Sequence, residues 1–259
     1  MYQARRLRSN LSTISTTQLH LRNPWVVAFW SFAFPGCGNL VQNRKVIGMI
    51  LIVWELIVNT NAQINLSIFY SLLGQFELAK EVVDKQWFLM YMGLYTYGIW
   101  DSFRGTIDLN KQYRLADMED APTRAFTMGA VDMNFTDIRK PWLAAVFSLL
   151  MPGLGHLYVF KVIIGLFMII WTVVVVFQSN VLQAIHLSMT GNIGEAISSL
   201  DMQWLMYIPS IYGYVLFDGY VSAVEFNNLL KKEQSKFLRD NYPVSAFPMP
   251  AASGREQSP

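Results

Sequence analysis

The sequence has few charged residues, few histidines and a single cysteine. Only 15% of its 259 residues are charged and 53% are hydrophobic, whereas soluble domains carry about 25% charged residues. This balance excludes a disordered chain and argues against an ordinary cytosolic enzyme. The lone Cys37 excludes a disulfide within the chain. A net charge of +2 is too small to indicate a nucleic-acid-binding protein.

An internal repeat with an offset of 117 residues is the main feature of the sequence. Positions 24–111 align with positions 141–228 without a gap, and 24 of the 88 pairs are identical. Shared Pro, Gly, Asp and Asn residues argue against a chance match, because apolar composition does not produce them. The repeat divides the chain into a basic N-terminal tail, repeat 1, a cytoplasmic linker, repeat 2 and a basic, disordered C-terminal tail, at 1–23, 24–111, 112–140, 141–228 and 229–259.

Three apolar segments in each repeat predict an all-α integral membrane protein. Segment a, at 24–40 and 141–160, is short and is interrupted by Pro-Gly-x-Gly, so we expect a re-entrant or interfacial helix there. Segments b and c are expected to span the bilayer, and they begin at Val46, Trp87, Val162 and Trp204. The predicted fold is a helical bundle of two tandem repeats with four spanning helices in total.

The positions of the basic residues favour one orientation in the membrane. If segment a does not cross the bilayer, 18 of the 20 Lys and Arg residues lie on one side, and the two loops between segments b and c hold the other two. If segment a does cross, the split is 12 against 8. Because basic residues gather on the cytoplasmic side, the first arrangement predicts a cell-membrane protein with both termini in the cytoplasm.

The interruption in segment a is a repeated turn motif with two interpretations. One is a tight turn between packed helices, and the other is a site where the backbone meets a lipid head group. In repeat 2 the motif continues into a histidine and a tyrosine. Its members are Pro35, Gly36 and Gly38 in repeat 1, and Pro152, Gly153, Gly155, His156 and Tyr158 in repeat 2.

The stretches Pro24–Trp54 and Pro141–Trp171 resemble the TM2 domain family. This resemblance implies a helix, a glycine-rich turn and a second helix in each copy. The Asp-Arg-Phe-like element of that family has no counterpart at Asn39, Arg44 and Lys45. The duplicated pattern as a whole also resembles uncharacterised multi-pass membrane proteins of spore-forming bacteria. Neither resemblance implies an activity.

Acidic residues within the apolar segments form the candidate polar membrane site. Asp101 and Asp218 lie in segment c of the two copies, and Tyr97 and Tyr214 precede them by four residues. Each tyrosine is expected to share a helix face with its aspartate and to hydrogen-bond to it. Glu55 lies near the middle of segment b, where an acid is costly. These residues form either a structural network or a site for a proton, a cation or a head group.

No sequence motif assigns a chemical activity. The three histidines lie far apart without metal-ligand spacing, and phosphate-binding and hydrolase motifs do not occur. We therefore expect no catalytic residue, metal or cofactor, and no enzyme. The expected function is a scaffold or organiser of other membrane proteins in the lipid bilayer. The alternative is a small-solute, ion or lipid transporter that uses the polar membrane site, and an intramembrane enzyme ranks third.

Overall fold

The computed structural model of the chain describes residues 7–12, 15–123, 126–128, 133–135 and 137–241. It is 77% helical and 4% strand, which confirms the predicted all-α class. The strands of the described residues form two short antiparallel hairpins. They are β1 (Ser9–Leu11) with β2 (Thr16–Gln18), and β3 (Phe126–Met128) with β4 (Met133–Phe135).

Helices of the second half follow those of the first half at a constant distance along the chain. The first half contains α1 (Pro24–Ala33), α2 (Cys37–Val41), α3 (Lys45–Ala62), α4 (Ile64–Leu72), α5 (Phe76–Glu81) and α6 (Lys85–Met118). The second half contains α7 (Pro141–Leu150), α8 (Leu154–Tyr158), α9 (Val162–Gln178), α10 (Val181–Met189), α11 (Ile193–Ser199), α12 (Met202–Leu205) and α13 (Tyr207–Asn241). Each of the helices α7 to α12 begins 117 residues after its counterpart among α1 to α6.

A break separates α12 from α13, whereas α6 is continuous through the equivalent region. Pro209 lies in the first turn of α13. Proline has no backbone N–H, so it cannot continue a helical hydrogen bond to Leu205, the last residue of α12. Thus α12 and α13 together correspond to α6.

Left-handed glycines form the turn that interrupts segment a in both halves. α1 ends at Ala33, and Gly36 follows with φ of +95°, which L side chains rarely adopt. A Cβ atom on Gly36 would lie 2.5 Å from the carbonyl oxygen of Gly48 on α3. Gly153 repeats this geometry against Gly165 on α9, with φ of +104°. The predicted interruption is confirmed, and its geometry is that of a tight turn between packed helices.

The hydrophobic core lies where the two halves meet. In the first half α6 packs along α1 and α3, and in the second half α13 packs along α7, α8 and α9. Buried side chains from both halves join in one cluster, so the halves share a core. The cluster contains Val27, Phe34, Cys37, Leu40, Val41 and Ile52 with Ile164, Met168, Trp171, Val175, Tyr207, Ile211, Tyr214 and Val215.

Among the described residues, one helix is long and apolar enough to cross a bilayer by itself. This helix is α3, and α9 with α10 qualifies as a pair that is bent by 57°. Helices α6 and α13 fall outside this count, because Gly, Tyr, Ser and Asp interrupt their apolar segments. The four predicted spans are therefore only partly matched by this criterion. Short helices also occupy the regions between segments b and c that were expected to be loops.

The two segments predicted to be tails are partly folded. Residues of the N-terminal segment form the β1–β2 hairpin, and its Leu11 packs against Phe226 and Leu229 of α13. The C-terminal segment from 229 was expected to be disordered, and this is wrong as far as Asn241, where α13 ends. Leu229 is buried, and Lys232 and Lys236 pair with Asp117 and Asp120 near the end of α6. Residues 242–259 lie outside the described residues.

Candidate functional site: buried acidic clusters

The first acidic cluster joins the turn after α1 to α6. Asp101 Oδ2 accepts a hydrogen bond of 2.8 Å from Asn39 Nδ2 and a charged contact of 2.6 Å from Arg44 Nη1. Tyr97 lies on the same helix but is 52% exposed. The predicted hydrogen bond between Tyr97 and Asp101 is therefore wrong. Asn39 and Arg44 bind the carboxylate instead. This cluster is partly open, since the side chain of Arg44 is 29% exposed.

The second acidic cluster is closed from solvent. Asp218 Oδ2 lies 2.9 Å from His156 Nε2 and 3.4 Å from Lys161 Nζ. Lys161 Nζ also donates a hydrogen bond of 2.6 Å to Ser222 Oγ. Tyr214 does not bond to Asp218 as predicted: its ring stacks on the ring of His156, and its buried hydroxyl has no hydrogen-bond partner. All of these side chains are buried.

The two clusters use residues at equivalent positions. Each acid has a basic partner just before the long apolar helix, at Arg44 and Lys161, and a polar partner in the turn, at Asn39 and His156. Sequence reasoning named His156 only as part of the turn motif. It used Arg44 and Lys161 to orient the chain, and Arg44 also in the comparison with the TM2 domain family, but it paired neither with an acid. The signal that could have found these contacts is the position of Arg44 and Lys161, 57 residues before an acid in both halves.

Remaining members of the turn motif have packing roles. Gly38 lets α2 approach α1 closely, because a Cβ atom there would lie 2.6 Å from the carbonyl oxygen of Val27. Gly155 is equivalent in the second half. The hydroxyl of Tyr158 accepts a hydrogen bond of 3.1 Å from the backbone N–H of Lys140. The prolines, Pro35 and Pro152, lie between the two short helices of each half.

The third acid, Glu55, belongs to a buried amide cluster that joins the two halves. Glu55 Oε1 accepts hydrogen bonds from Asn59 Nδ2 at 2.9 Å and from the Tyr91 hydroxyl at 3.3 Å. Asn59 Oδ1 in turn accepts a bond of 2.9 Å from Gln203 Nε2 in the second half. Asn65 Nδ2 donates a bond of 3.0 Å to the backbone carbonyl of Gln203. We call Glu55, Asn59, Asn65, Tyr91 and Gln203 the amide cluster.

Two asparagines fix the chain where it enters each half. Asn110 Oδ1 accepts a hydrogen bond of 3.0 Å from the backbone N–H of Arg22, and Asn110 Nδ2 donates one of 2.8 Å to the carbonyl oxygen of Arg22. Asn227 makes the same pair of bonds to Arg139, at 2.7 and 2.6 Å. The repeat alignment identified both asparagines as recurring residues but gave them no role.

A group of ion pairs holds the N-terminal segment against the ends of α6 and α13. The guanidinium of Arg8 is buried and lies 3.0 Å from Asp117 and 3.8 Å from Glu233. Lys232 also contacts Asp117. A hydrogen bond from Lys236 lowers the pKa of the exposed Asp120. These basic residues, which the sequence analysis used to orient the chain, pair with acids of the same chain.

A cavity of about 270 Å³ lies beside these ion pairs. Its walls include Arg8, His20, Tyr113 and Glu225. Glu225 contacts His20 and holds Arg22 at 2.9 Å. Burial lowers the pKa of His20, although the hydrogen bond with Glu225 acts in the opposite direction.

Within the part of the chain that the structure describes, no group of three or more His, Cys, Asp and Glu residues is arranged to hold a metal ion. Comparison of the chain with known protein families, curated proteins and solved structures finds no match. The resemblance to the TM2 domain family therefore stays a prediction. A function has to follow from the contacts and surfaces of the chain itself.

Proposed function

We propose that the chain is an integral membrane protein made of two duplicated halves, and that it acts as a non-enzymatic scaffold for other membrane proteins. The membrane placement rests on one observation, the apolar outer surface of α1, α3, α7 and α9. Soluble monomers rarely expose large contiguous apolar patches. Large side chains are exposed on α1, α3, α7 and α9, among them Phe29, Phe32, Ile50, Val53, Ile57, Leu149, Leu150, Leu166, Ile170, Val173 and Phe177.

The charge distribution supports the orientation with both termini in the cytoplasm. The described ion pairs of Arg8, Lys232 and Lys236 lie at the far ends of α6 and α13, where these helices extend beyond their apolar segments. Exposed Trp25 and Trp142 begin α1 and α7, as interfacial tryptophans do. The duplication is supported by the equal spacing of the helices and by the paired contacts in both halves.

A scaffold is favoured over an enzyme by the state of the acidic clusters. Asp101 and Asp218 are each bound by a basic residue of the same half. In the second cluster the carboxylate is fully buried, so a substrate cannot reach it. Both clusters join a turn to a long helix, which is a structural role. A two-part bundle with an extended apolar surface suits the binding of partner helices.

Transport is the second candidate, and the specific observation that favours it is Glu55. This acid is buried without a basic partner among the described residues. Ionisable groups of this kind inside membranes often mark ion or proton pathways. Ion and proton flux into proteoliposomes separates the two candidates. A scaffold leaves the flux at the level of empty vesicles, whereas flux that is abolished by Glu55→Gln would establish transport.

Cysteine accessibility tests the membrane placement. In a Cys37→Ala background, single cysteines replace Lys80 and Asp120, which are both exposed. We expect an impermeant thiol reagent to label position 80 in intact cells, and to label position 120 only after permeabilisation. Labelling of position 120 from outside, or extraction of the protein by alkaline carbonate, would contradict the proposal.

A further inference from the structure

The three acids of the apolar segments differ in how their charge is balanced. Asp101 lies 2.6 Å from Arg44, and Asp218 lies 3.4 Å from Lys161 and 2.9 Å from His156. Glu55 is 3% exposed, and no Lys, Arg or His of the described chain lies within ion-pair distance of it. An ionised carboxylate that is buried without a compensating cation is very costly, so such a group is neutralised by a bound proton or cation.

The hydrogen bonds around Glu55 distinguish between these two ways of neutralising it. Its neighbours are donors: the amide nitrogen of Asn59 and the hydroxyl of Tyr91 both point at Oε1. The amide oxygen of Asn59 is directed away, to Gln203. A metal cation requires several oxygen acceptors around it, and this arrangement does not provide them. A carboxylic acid matches it, with Oε1 as the acceptor and the proton on Oε2.

We propose that Glu55 carries a proton in the folded protein, and that the amide cluster is a proton-binding site that couples the two halves. This inference does not rest on the membrane placement, because side chains of the chain itself bury Glu55. It assigns a ligand, the proton, to the site that the transport candidate would use. It also holds for a scaffold, since the site lies at a contact between the halves.

Other titratable groups near Glu55 do not supply the missing charge. Those that face it are Tyr91 and Tyr95 of α6, Tyr207 of α13 and Cys37 of α2. Tyrosine and cysteine side chains are neutral when protonated and become negative when they ionise. None of them can act as a counter-cation. Proton binding by Glu55 therefore leaves the whole group uncharged.

Coupling between the halves follows from the position of Asn59. Its side chain contacts Glu55 through Nδ2 and Gln203 through Oδ1, so one amide group connects the acid to the second half. The backbone N–H of Leu66 also donates a bond of 2.8 Å to Gln203 Oε1. Loss of the proton to water would leave a buried negative charge beside this contact. Separation of α4 from α12 would then admit water to the carboxylate, so proton release is linked to opening of the contact.

Infrared spectroscopy of the full-length protein tests the protonation state. At pH 7 we expect the wild-type spectrum to contain the carbonyl stretch of a protonated carboxyl group. This band should be lost in Glu55→Gln. The matched control is Asp108→Asn, which changes an exposed acid on α6 and should retain the band. Wild-type and Glu55→Gln spectra that are identical in this region would overturn the proposal.

Thermal unfolding at several pH values tests the linkage. The unfolded chain releases the proton of Glu55 above a pH of about 4.3, whereas the folded chain retains it, so folding binds a proton and stability falls as pH rises. Relative to Glu55→Gln, the wild-type melting temperature should decline between about pH 5 and pH 8. A constant difference between the two proteins, or a Gln variant that does not fold, would overturn the proposal.

Sodium titration separates a proton from a metal ion. At fixed pH and ionic strength, exchange of sodium for a large organic cation should leave the wild-type melting temperature unchanged. A sodium-dependent rise that is absent in Glu55→Gln would show that a metal cation, not a proton, neutralises the carboxylate. Gln203→Ala tests the coupling between proton binding and the contact of the two halves. Because proton release is linked to opening of this contact, loss of the bond should lower the pH at which the band disappears relative to the wild type. An unchanged pH dependence of the band would overturn the coupling.

Discussion

Asp101 and Asp218 occupy equivalent positions in the two halves, but their partners and the burial of those partners differ. The first is bound by an asparagine and a partly exposed arginine, and the second by a histidine and a lysine that are both buried. A charge pair near solvent contributes little to stability, whereas breaking a buried pair leaves an uncompensated charge. The same backbone arrangement therefore supports two contacts of unequal energetic importance.

Of the changes that test this comparison, removal of Lys161 should lower the free energy of unfolding most. Lys161→Met leaves the buried Asp218 without its nearest ammonium group, and we expect a loss of about 3–5 kcal/mol in the free energy of unfolding. The matched change in the first half, Arg44→Met, should cost only about 1 kcal/mol, because water screens that pair. Denaturant unfolding of the purified protein measures both. Equal losses in the two variants would show that burial does not distinguish the clusters.

The turn glycines should be equally sensitive in both halves, in contrast to the acids. Gly36→Ala and Gly153→Ala each place a Cβ atom on a left-handed backbone and against a carbonyl oxygen of the next helix. We expect each change to cost about 2–4 kcal/mol by thermal or denaturant unfolding.

Gly93→Ala is the control for the turn glycines, because the added carbon meets nothing within 4 Å apart from its own stretch of helix backbone. It lies within α6, where alanine is the better helix former, so stability should stay unchanged or rise slightly. A difference between Gly36→Ala and Gly153→Ala of more than about 1 kcal/mol would mean that the two turns are not equivalent.

Removal of the asparagines that fix the chain entries should have an intermediate and similar effect. Asn110→Ala and Asn227→Ala each remove two hydrogen bonds to one backbone residue, and we expect about 1–3 kcal/mol in both cases. Asn61→Ala, at an exposed position on α3, serves as the control and should change little. A large loss in only one half would show that the other entry is held by different contacts.

Much of the fold could be predicted because the strongest local signals occur twice. Proline at the start of α1 and α7, glycine at the left-handed turns, and aspartate as the N-cap of α6 and α12 are local requirements of the backbone. Pattern alone did not predict the short helices between the apolar segments, because each is below ten residues. The folding of the N-terminal hairpin depends on distant contacts such as that of Leu11 with Phe226.

The acidic clusters could be predicted only in part, because they too depend on contacts between distant parts of the chain. Asp101, Asp218 and Glu55 stand out in the sequence because acids in apolar segments are costly. Their partners are contacts between residues that are far apart in the chain, apart from Asn59, which lies one helical turn from Glu55. Helical periodicity suggested Tyr97 and Tyr214 as partners of the two aspartates, but it relates only residues of the same helix. Arg44 and Lys161 reach the acids from positions just before α3 and α9.

The smallest expected effect concerns His20, which has no equivalent in the second half, where residue 137 is Asp. Burial lowers the pKa of His20 in the folded protein below its usual value near 6.5. The unfolded chain therefore binds more protons just below pH 6.5, so the contribution of His20 to stability is present above this pH and is lost as pH falls. Relative to His20→Gln, the wild-type melting temperature should fall as the pH is lowered from about 7 to 5. A constant difference between the two proteins would mean that His20 does not contribute to the pH dependence, and a wild-type melting temperature that rises relative to the variant would mean that Glu225 raises the pKa of His20 more than burial lowers it.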